Sequence, residues 1–421
     1  MSDHKVEVVK LETIYPHPDK ETTSLELVKV WDYVAVARKG QYKPGDLAVY
    51  IEPDFVVKLS RPEFSFLQSP GGTKEKHRIT TKRLRGVWSQ GLLIPAPEGS
   101  VEGQDVRELL EIERYEPPPP NMKPNSKGAW LGGGLQEAGP VLKVPYYDLE
   151  NLQKYARLLE KNEEVVVSEK IHGSNSRFMF SEGRMWLGSR TTWKKPINDY
   201  VARPLLFSGF KTPEAVLEFM QYLQEDIQRA AMIQKDSPEK VFALVNVEWL
   251  EKNKDNLPPF EVKGDDRQTK FSTAWHRALE CNPWTEEWCR NHPNLSLYGE
   301  IFGKQVQGHL FNYGIPEGDV GFRVFDIFDP TKIEVQDQWV NNWEMHEPGN
   351  SFVENLKLVP LLYRGPFDFD MIKTIAEEDS AFEKGHIREG VVLKTKKERF
   401  SPILGGRIAL KYVSNRYYGK S

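Results

Sequence analysis

Val165-Val166-Val167-Ser168-Glu169-Lys170-Ile171-His172-Gly173-Ser174-Asn175 decides how this chain is read. Three β-branched apolar residues carry the chain as a strand into a polar turn. The turn holds a lysine, a histidine, a glycine and an asparagine. A lysine at the end of a buried strand is open to desolvation and to neighbouring charges, which can tune its amine into a nucleophile. Gly173 allows the backbone to come close to a ligand. A lysine followed three positions later by glycine is a short motif, and alone it also fits an ordinary strand exit with a solvated lysine.

Downstream, Arg177-Phe178-Met179-Phe180 and Met185-Trp186-Leu187-Gly188 flank Ser181-Glu182-Gly183-Arg184, a hairpin signal that delivers Arg190 just past its second strand. Three further strands each set a polar group beside apolar residues: Leu297–Gly303 with Glu300, Gly321–Phe328 with Phe325, and Arg388–Lys394 with Glu389. A last strand, Arg407–Tyr412, carries Lys411. The strand–helix alternation and Gly-rich turn of a doubly wound sheet are missing, and so is a P-loop. The pattern is α+β, with antiparallel sheets and helices.

Upstream, residues 5 to 113 read as short strands between turns: Leu25–Val30, Tyr33–Ala37, Leu47–Ile51 after a Lys43-Pro44-Gly45-Asp46 turn, and Gly91–Pro95. Such spacing predicts a small β-barrel of the OB type over 1–115. Lys76, Arg78, Lys82, Arg83 and Arg85, with Trp88 close behind, suit a phosphate backbone and a stacked base, and equally a solvated loop beside a core tryptophan. The Pro- and Gly-rich stretch 116–140 predicts a linker to a second domain, 141–421. Within that domain Asp148 is expected to cap a helix reaching Leu159. The segment from about 205 to 295 is expected to be a largely helical insertion, with a helix from Pro213 to about Lys235. His276, Cys281, Cys289 and His292 have no standard zinc-finger spacing and read as part of a tryptophan-rich helical pair.

A chain of 421 residues with a net charge of −4 and two cysteines points to a folded two-domain protein of a reducing compartment. The balance of charge does not advertise a nucleic-acid binder, so any such surface must come from local segregation. No apolar run is long enough to cross a bilayer, and the N-terminus lacks the apolar core of a signal peptide. The cytoplasm is the expected location, with no membrane and no obligate protein partner.

Each member of the set suits a nucleoside triphosphate. A lysine amine attacks phosphorus, carboxylates hold a divalent metal, an aromatic face stacks on a base, and arginine and lysine meet phosphate. Taken in order, the set resembles the covalent nucleotidyltransferase superfamily of ATP-dependent ligases and capping enzymes. Ser168–Asn175 is most similar to the phage RNA ligase 2 form, because DNA ligases and capping enzymes usually carry Asp where this chain has His172. The barrel at the N-terminal end is similar to that of template-directed RNA nick-sealing ligases. The resemblance implies an OB-type barrel followed by a nucleotidyltransferase domain of ATP-grasp-like antiparallel sheets plus helices. It implies ATP and Mg²⁺ or Mn²⁺, with AMP held covalently on Lys170, and an RNA substrate, a nicked duplex foremost.

Carried over residue by residue, Glu169 sits near the adenine edge, and His172 and Asn175 orient the phosphates or nick termini. Gly173 lies against the nucleotide, and Arg190 holds the ribose or the reacting strand. Glu300 contacts the ribose and the metal's water shell, while Phe325 stacks on adenine. Glu389 is the main metal carboxylate, and Lys411 meets the α-phosphate. Two departures stand out. The family's last motif has a second lysine two positions from the first, whereas Lys411 is flanked there by Ala409 and Val413, leaving Arg407 or Arg416 to cover the missing cation. Ten residues follow Lys411, so no C-terminal barrel is expected. A DNA ligase, a GTP-using capping enzyme, and a non-catalytic RNA-binding protein of the same fold are the rival readings.

Overall fold

The computed structural model describes residues 5–21, 24–69, 71–115, 136–196, 201–226, 232–234, 237–263, 269–270, 273–307, 313–316, 318–382 and 385–418. Most of the expected linker therefore lies outside the described residues.

The N-terminal region is built of short antiparallel strands. Leu47–Ile51 lies between Val8–Lys10 and Leu92–Pro95, and Leu25–Val30 between Thr13–Pro16 and Tyr33–Arg38. Phe55–Lys58 lies between Lys76–Arg78 and Glu113–Arg114, and Lys82–Leu84 forms a hairpin with Val87–Ser89. Alternation along Leu47–Ile51 sends Val49 and Ile51 to one core, with Val57 and Phe64, and Ala48 and Tyr50 to another, with Val28 and Ala35.

The second region holds two antiparallel sheets. One runs Gln136–Glu137, Trp193–Lys194, Arg184–Gly188, Ser174–Ser181, Ser296–Phe302, Gly321–Phe328. The other runs Glu150–Asn151, Ala409–Val413, Gly390–Thr395, Glu164–Lys170, Leu361–Pro366, with its first pair parallel. Glu164–Lys170 belongs to one sheet and Ser174–Ser181 to the next, so Ile171–Gly173 is the crossing between them. That crossing is tight: a Cβ on Gly173 would meet the Ile301 carbonyl oxygen at 2.1 Å. The expected hairpin turns at Glu182 and Gly183, both at positive φ (54° and 76°), as its short turn requires.

Two expectations are corrected. The 205–295 segment is not helical alone: its helices stand beside a sheet that was not expected. Val201–Phe207, Ser237–Asn246 and Phe260–Val262 form one antiparallel sheet together with Met232–Gln234 and Thr269–Lys270. Leu205, Phe207, Val241, Ala243 and Val245 point to one buried face with strand period; of the helix expected from Pro213 to about Lys235, Pro213–Asp226 is helix, Met232–Gln234 is a strand, and 227–231 lie outside the described residues. Among the described residues of this segment the α-helices are Pro213–Asp226, Val247–Asn253, and the pair Ala274–Cys281 and Pro283–Asn291. Secondly, Asp148 is not the helix N-cap: the helix is Leu152–Tyr155 with Asn151 at the cap position, preceded by strand residues Glu150–Asn151 and continued by one 3₁₀ turn. His276, Cys281 and Cys289 lie in the expected helical pair, His276 in a capping box with Thr273 and bonded to the Lys195 carbonyl at 2.8 Å, while Cys289 is fully buried in the core.

The barrel is docked on the two-sheet region through buried polar contacts. Glu52 accepts from the Tyr33 hydroxyl at 3.0 Å, Asn151 Nδ2 at 2.6 Å and Lys154 Nζ at 3.2 Å. Lys154 is 3% exposed and also pairs with Glu7 at 3.0 Å. Burial alone would push its ammonium down, but Glu52 and Glu7 outweigh this and raise it.

Candidate active site

A cleft of about 760 Å³, counted with its open mouth, lies between the two sheets. Its wall includes Glu169, Lys170, Asn175, Arg190, Glu300, Phe325 and Lys411, residues spread over 243 positions of chain. Sheet register brings them together. Asn175 faces Glu300 across a strand pair, Lys170 faces Gly390 beside Glu389, and Val392 faces Lys411.

Lys170 Nζ donates to Glu389 Oε1 at 2.7 Å. Burial pushes the amine down, yet Glu389 and then Glu300 reverse the balance and hold it above the ordinary lysine value. Glu300 is pushed up to about 8, first by burial and then by Glu389, against the opposing pull of Lys170. Lys411 is held low by burial, by Arg114 and by Lys170. Glu389 Oε2 is buried and makes no hydrogen bond among the described residues. A buried carboxylate oxygen of that kind, beside a second carboxylate, is a donor set suited to a hard divalent cation.

Glu169 lines the cleft, but its carboxylate faces the other way in the bonding sense: it accepts from the Ser380 hydroxyl at 2.5 Å and the Ala381 N–H at 2.7 Å. His172 flanks the lysine and bonds Tyr417; burial holds its imidazole below the ordinary value. Phe325 is half-buried against Tyr147, ring centroids 4.6 Å apart. Its strand is backed by a fully buried ionic cluster. Asp326 accepts from Lys394 Nζ at 2.7 Å, Tyr147 Oη at 2.5 Å and Asn342 Nδ2 at 2.7 Å, and pairs with Arg407 at 3.0 Å.

That cluster bears on the two arginines expected near Lys411. Arg407 is tied to Asp326 and Glu398, and Arg416 to Asp379, and neither lines the cleft. The cleft does hold an arginine that sequence reading missed. Arg114, from the barrel's last strand, pairs with Asp148 at 3.2 Å, and Arg190 approaches the same carboxylate at 3.9 Å. Asp148 and Tyr147 were missed as well; no local pattern marks them as cleft residues, because only the assembled sheets and docked barrel bring them there.

The barrel residues divide. Lys76 pairs with Glu113 and Arg78 with Asp54, both at 2.6 Å. Lys82, Arg83 and Arg85 form no ion pair among the described residues, and Arg83 lies over the Trp88 ring at 5.8 Å.

A small OB-type barrel docked on two antiparallel sheets, with a lysine–glutamate pair beside the cleft between them, is the architecture of a nucleotidyltransferase. The RNA ligase family model matches residues 163–413, more than half of the chain, and the chain belongs to the RNA ligase family. An OB-fold domain model matches residues 5–96. Structures of Naegleria gruberi RNA ligase share the fold over both chains. A lysine-to-methionine mutant with AMP and Mn is 21% identical, with a TM-score of 0.65 over 99% of each chain. A lysine-to-alanine mutant with ATP and Mn has a TM-score of 0.65 at 21% identity, over 99% of this chain and 98% of that one. The same ligase with PPi gives 0.62 at 21%, over 99% and 97%. No curated protein matches the chain.

Proposed function

We propose that this chain is an ATP-dependent RNA ligase that seals 3′-OH/5′-phosphate breaks, nicks in duplex foremost, through a lysyl-AMP intermediate. The observation that carries this reading is Lys170 paired with Glu389 in a cleft shared with Glu300, Arg190 and Lys411. The ATP, AMP and Mn held by the Naegleria ligase structures support the choice of nucleotide and metal.

In the first step the neutral Lys170 amine attacks the α-phosphorus of ATP. An N–P bond forms, the bond to the bridging oxygen breaks, and pyrophosphate leaves with the electron pair. Lys170 must first lose a proton, which its carboxylate neighbours oppose in the free protein. Glu389, through its unpartnered Oε2, and Glu300 would hold a divalent cation. When bound, that cation supplies positive charge that favours the neutral amine and offsets charge on the phosphate. Lys411, already held low, adds a cation on the other side, and Arg190 holds the ribose or the reacting strand. Phe325 and Tyr147 offer aromatic surface to the base.

In the second step an oxygen of the RNA 5′-phosphate displaces Lys170 from AMP, and the amine regains its proton. In the third the 3′-hydroxyl attacks that 5′-phosphate and AMP departs, with Asn175 and His172 orienting the ends. Lys82, Arg83 and Arg85 of the barrel track the RNA backbone, together with Lys76 and Arg78 once they exchange a carboxylate for a phosphate. We assign the protein to the cytoplasm.

The test is transfer of label from α-phosphate-labelled ATP with Mg²⁺, wild type beside Lys170→Ala. Label on the wild type alone, discharged by pyrophosphate and passed to a nicked RNA duplex, is the expected result. Full sealing by Lys170→Ala would overturn the mechanism.

A further inference from the structure

The crossing after Lys170 is gripped by two tyrosines. The His172 backbone N–H donates to the Tyr313 hydroxyl at 2.8 Å, and the Tyr417 hydroxyl lies 2.8 Å from His172 Nδ1. Tyr417 belongs to the short helix Asn415–Tyr418, which is firmly anchored. Glu377 accepts from the Ser414 hydroxyl and from the backbone N–H groups of Asn415 and Arg416. Arg416 pairs with Asp379 at 2.9 Å, and Asn415 Oδ1 accepts from Gln90 of the barrel at 3.0 Å. The hydroxyl is therefore held in place by both parts of the protein.

A neutral imidazole has one N–H and one acceptor nitrogen, and the bond made by one nitrogen fixes the role of the other. Burial keeps His172 neutral near pH 7 and keeps the Tyr417 hydroxyl protonated, so a donor faces a ring that can accept. We propose that Tyr417 is a positioning residue for His172: its hydroxyl donates to Nδ1, so that Nε2–H is the proton the ring offers to a substrate phosphate. The inference rests on the ligase reading above. The phosphate belongs either to the nucleotide or to the RNA 5′ end, two sources of one chemistry.

Tyr417→Phe removes only the hydroxyl. It should slow the step that His172 serves roughly fivefold, the scale of one neutral hydrogen bond. Slower labelling of Lys170 by ATP assigns the phosphate to the nucleotide. Normal labelling with slower transfer to a 5′-phosphate, or slower sealing of a pre-adenylylated nick, assigns it to the RNA. His172→Gln places an N–H near the position of Nε2 and His172→Asn near that of Nδ1, so Gln should retain more activity than Asn. In the His172→Gln background, Tyr417→Phe should cost less than about twofold, because the pair is coupled. In protein labelled with ¹⁵N-histidine, the His172 signals, assigned by their loss in His172→Gln, should report the Nε2–H tautomer in wild type and a mixture in Tyr417→Phe.

An Nδ1–H tautomer in wild type, additive effects in the double variant, or every step within about twofold in Tyr417→Phe would each overturn the proposal. Wild-type protein that neither takes label nor seals would overturn the ligase reading and this one together. An active wild type with an indifferent Tyr417→Phe would overturn this one alone.

Discussion

Replacing Lys154 by Met tests whether the barrel is held by charge or only by shape. Lys154 is 3% exposed, pairs with Glu52 at 3.2 Å and Glu7 at 3.0 Å, and donates to the Lys5 carbonyl at 3.2 Å. Methionine keeps most of the stem volume and leaves two carboxylates facing an apolar group. Removing one partner of a buried pair costs about 3–5 kcal/mol. The lower end applies, because Glu52 keeps Tyr33 and Asn151 as donors and the Glu7 side chain is 20% exposed. About 3 kcal/mol corresponds to backbone amides of the 150–158 segment exchanging roughly a hundredfold faster when opening limits exchange. Hydrogen exchange followed by mass spectrometry reads this directly. Adding Glu52→Gln to Lys154→Met should return about 1 kcal/mol or more, since a neutral amide is cheaper to bury than an unpaired charge. The sign with pH also follows. The folded value of Lys154 is raised, so its contribution is complete below the ordinary lysine value and is lost only as pH rises through the folded one. The deficit should therefore be flat between about pH 6 and 9. An acceleration under about threefold would refute the charge argument and leave packing as what holds the barrel.

Three further expectations can be checked separately. Gly173→Ala drives a methyl against the Ile301 carbonyl at 2.1 Å and should cost more than about 2 kcal/mol or displace the crossing, read as a lower thermal midpoint together with lost labelling by ATP. Glu300 is pushed up to about 8, so in metal-free protein the folded state holds its proton while the unfolded state loses it; stability should fall as pH rises from about 4.5 to 8, and Glu300→Gln should flatten that slope in calorimetry. Lys170 is held above the ordinary lysine value in metal-free protein, so its reaction there with an amine-selective reagent should rise close to tenfold per pH unit across about pH 6 to 8; a flat profile would contradict the raised value.

The features that sequence reading located are those with short-range causes. The Val165–Val167 run and the Glu182-Gly183 turn specify their strands locally, and the strand ends then present Lys170 and Asn175 to the cleft. What was missed depends on distant pieces meeting. Arg114 stands 34 positions from Asp148 and belongs to the barrel, so its pairing depends on the barrel's docked position. Tyr417 meets His172 across 245 positions. Arg407 resembles a spare phosphate ligand in sequence, but Asp326 and Glu398 claim it behind the sheet. The inserted sheet was legible in principle: Val241-Phe242-Ala243-Leu244-Val245 is a continuous apolar run, the mark of a buried strand, but a clear helical stripe just before it drew the reading toward helix.

The inserted sheet has a consequence for how the molecule comes apart. Leu205, Phe207, Val216, Leu223, Val241 and Leu250 close a core of their own, and none of the described residues between 201 and 270 lines the cleft. A segment with a private core is a cooperative unit that can melt by itself. Heating should then give an early calorimetric transition that empties this core while the ability to take label from ATP persists, and a later one in which labelling is lost. Thermal inactivation and the first loss of structure would be two different temperatures.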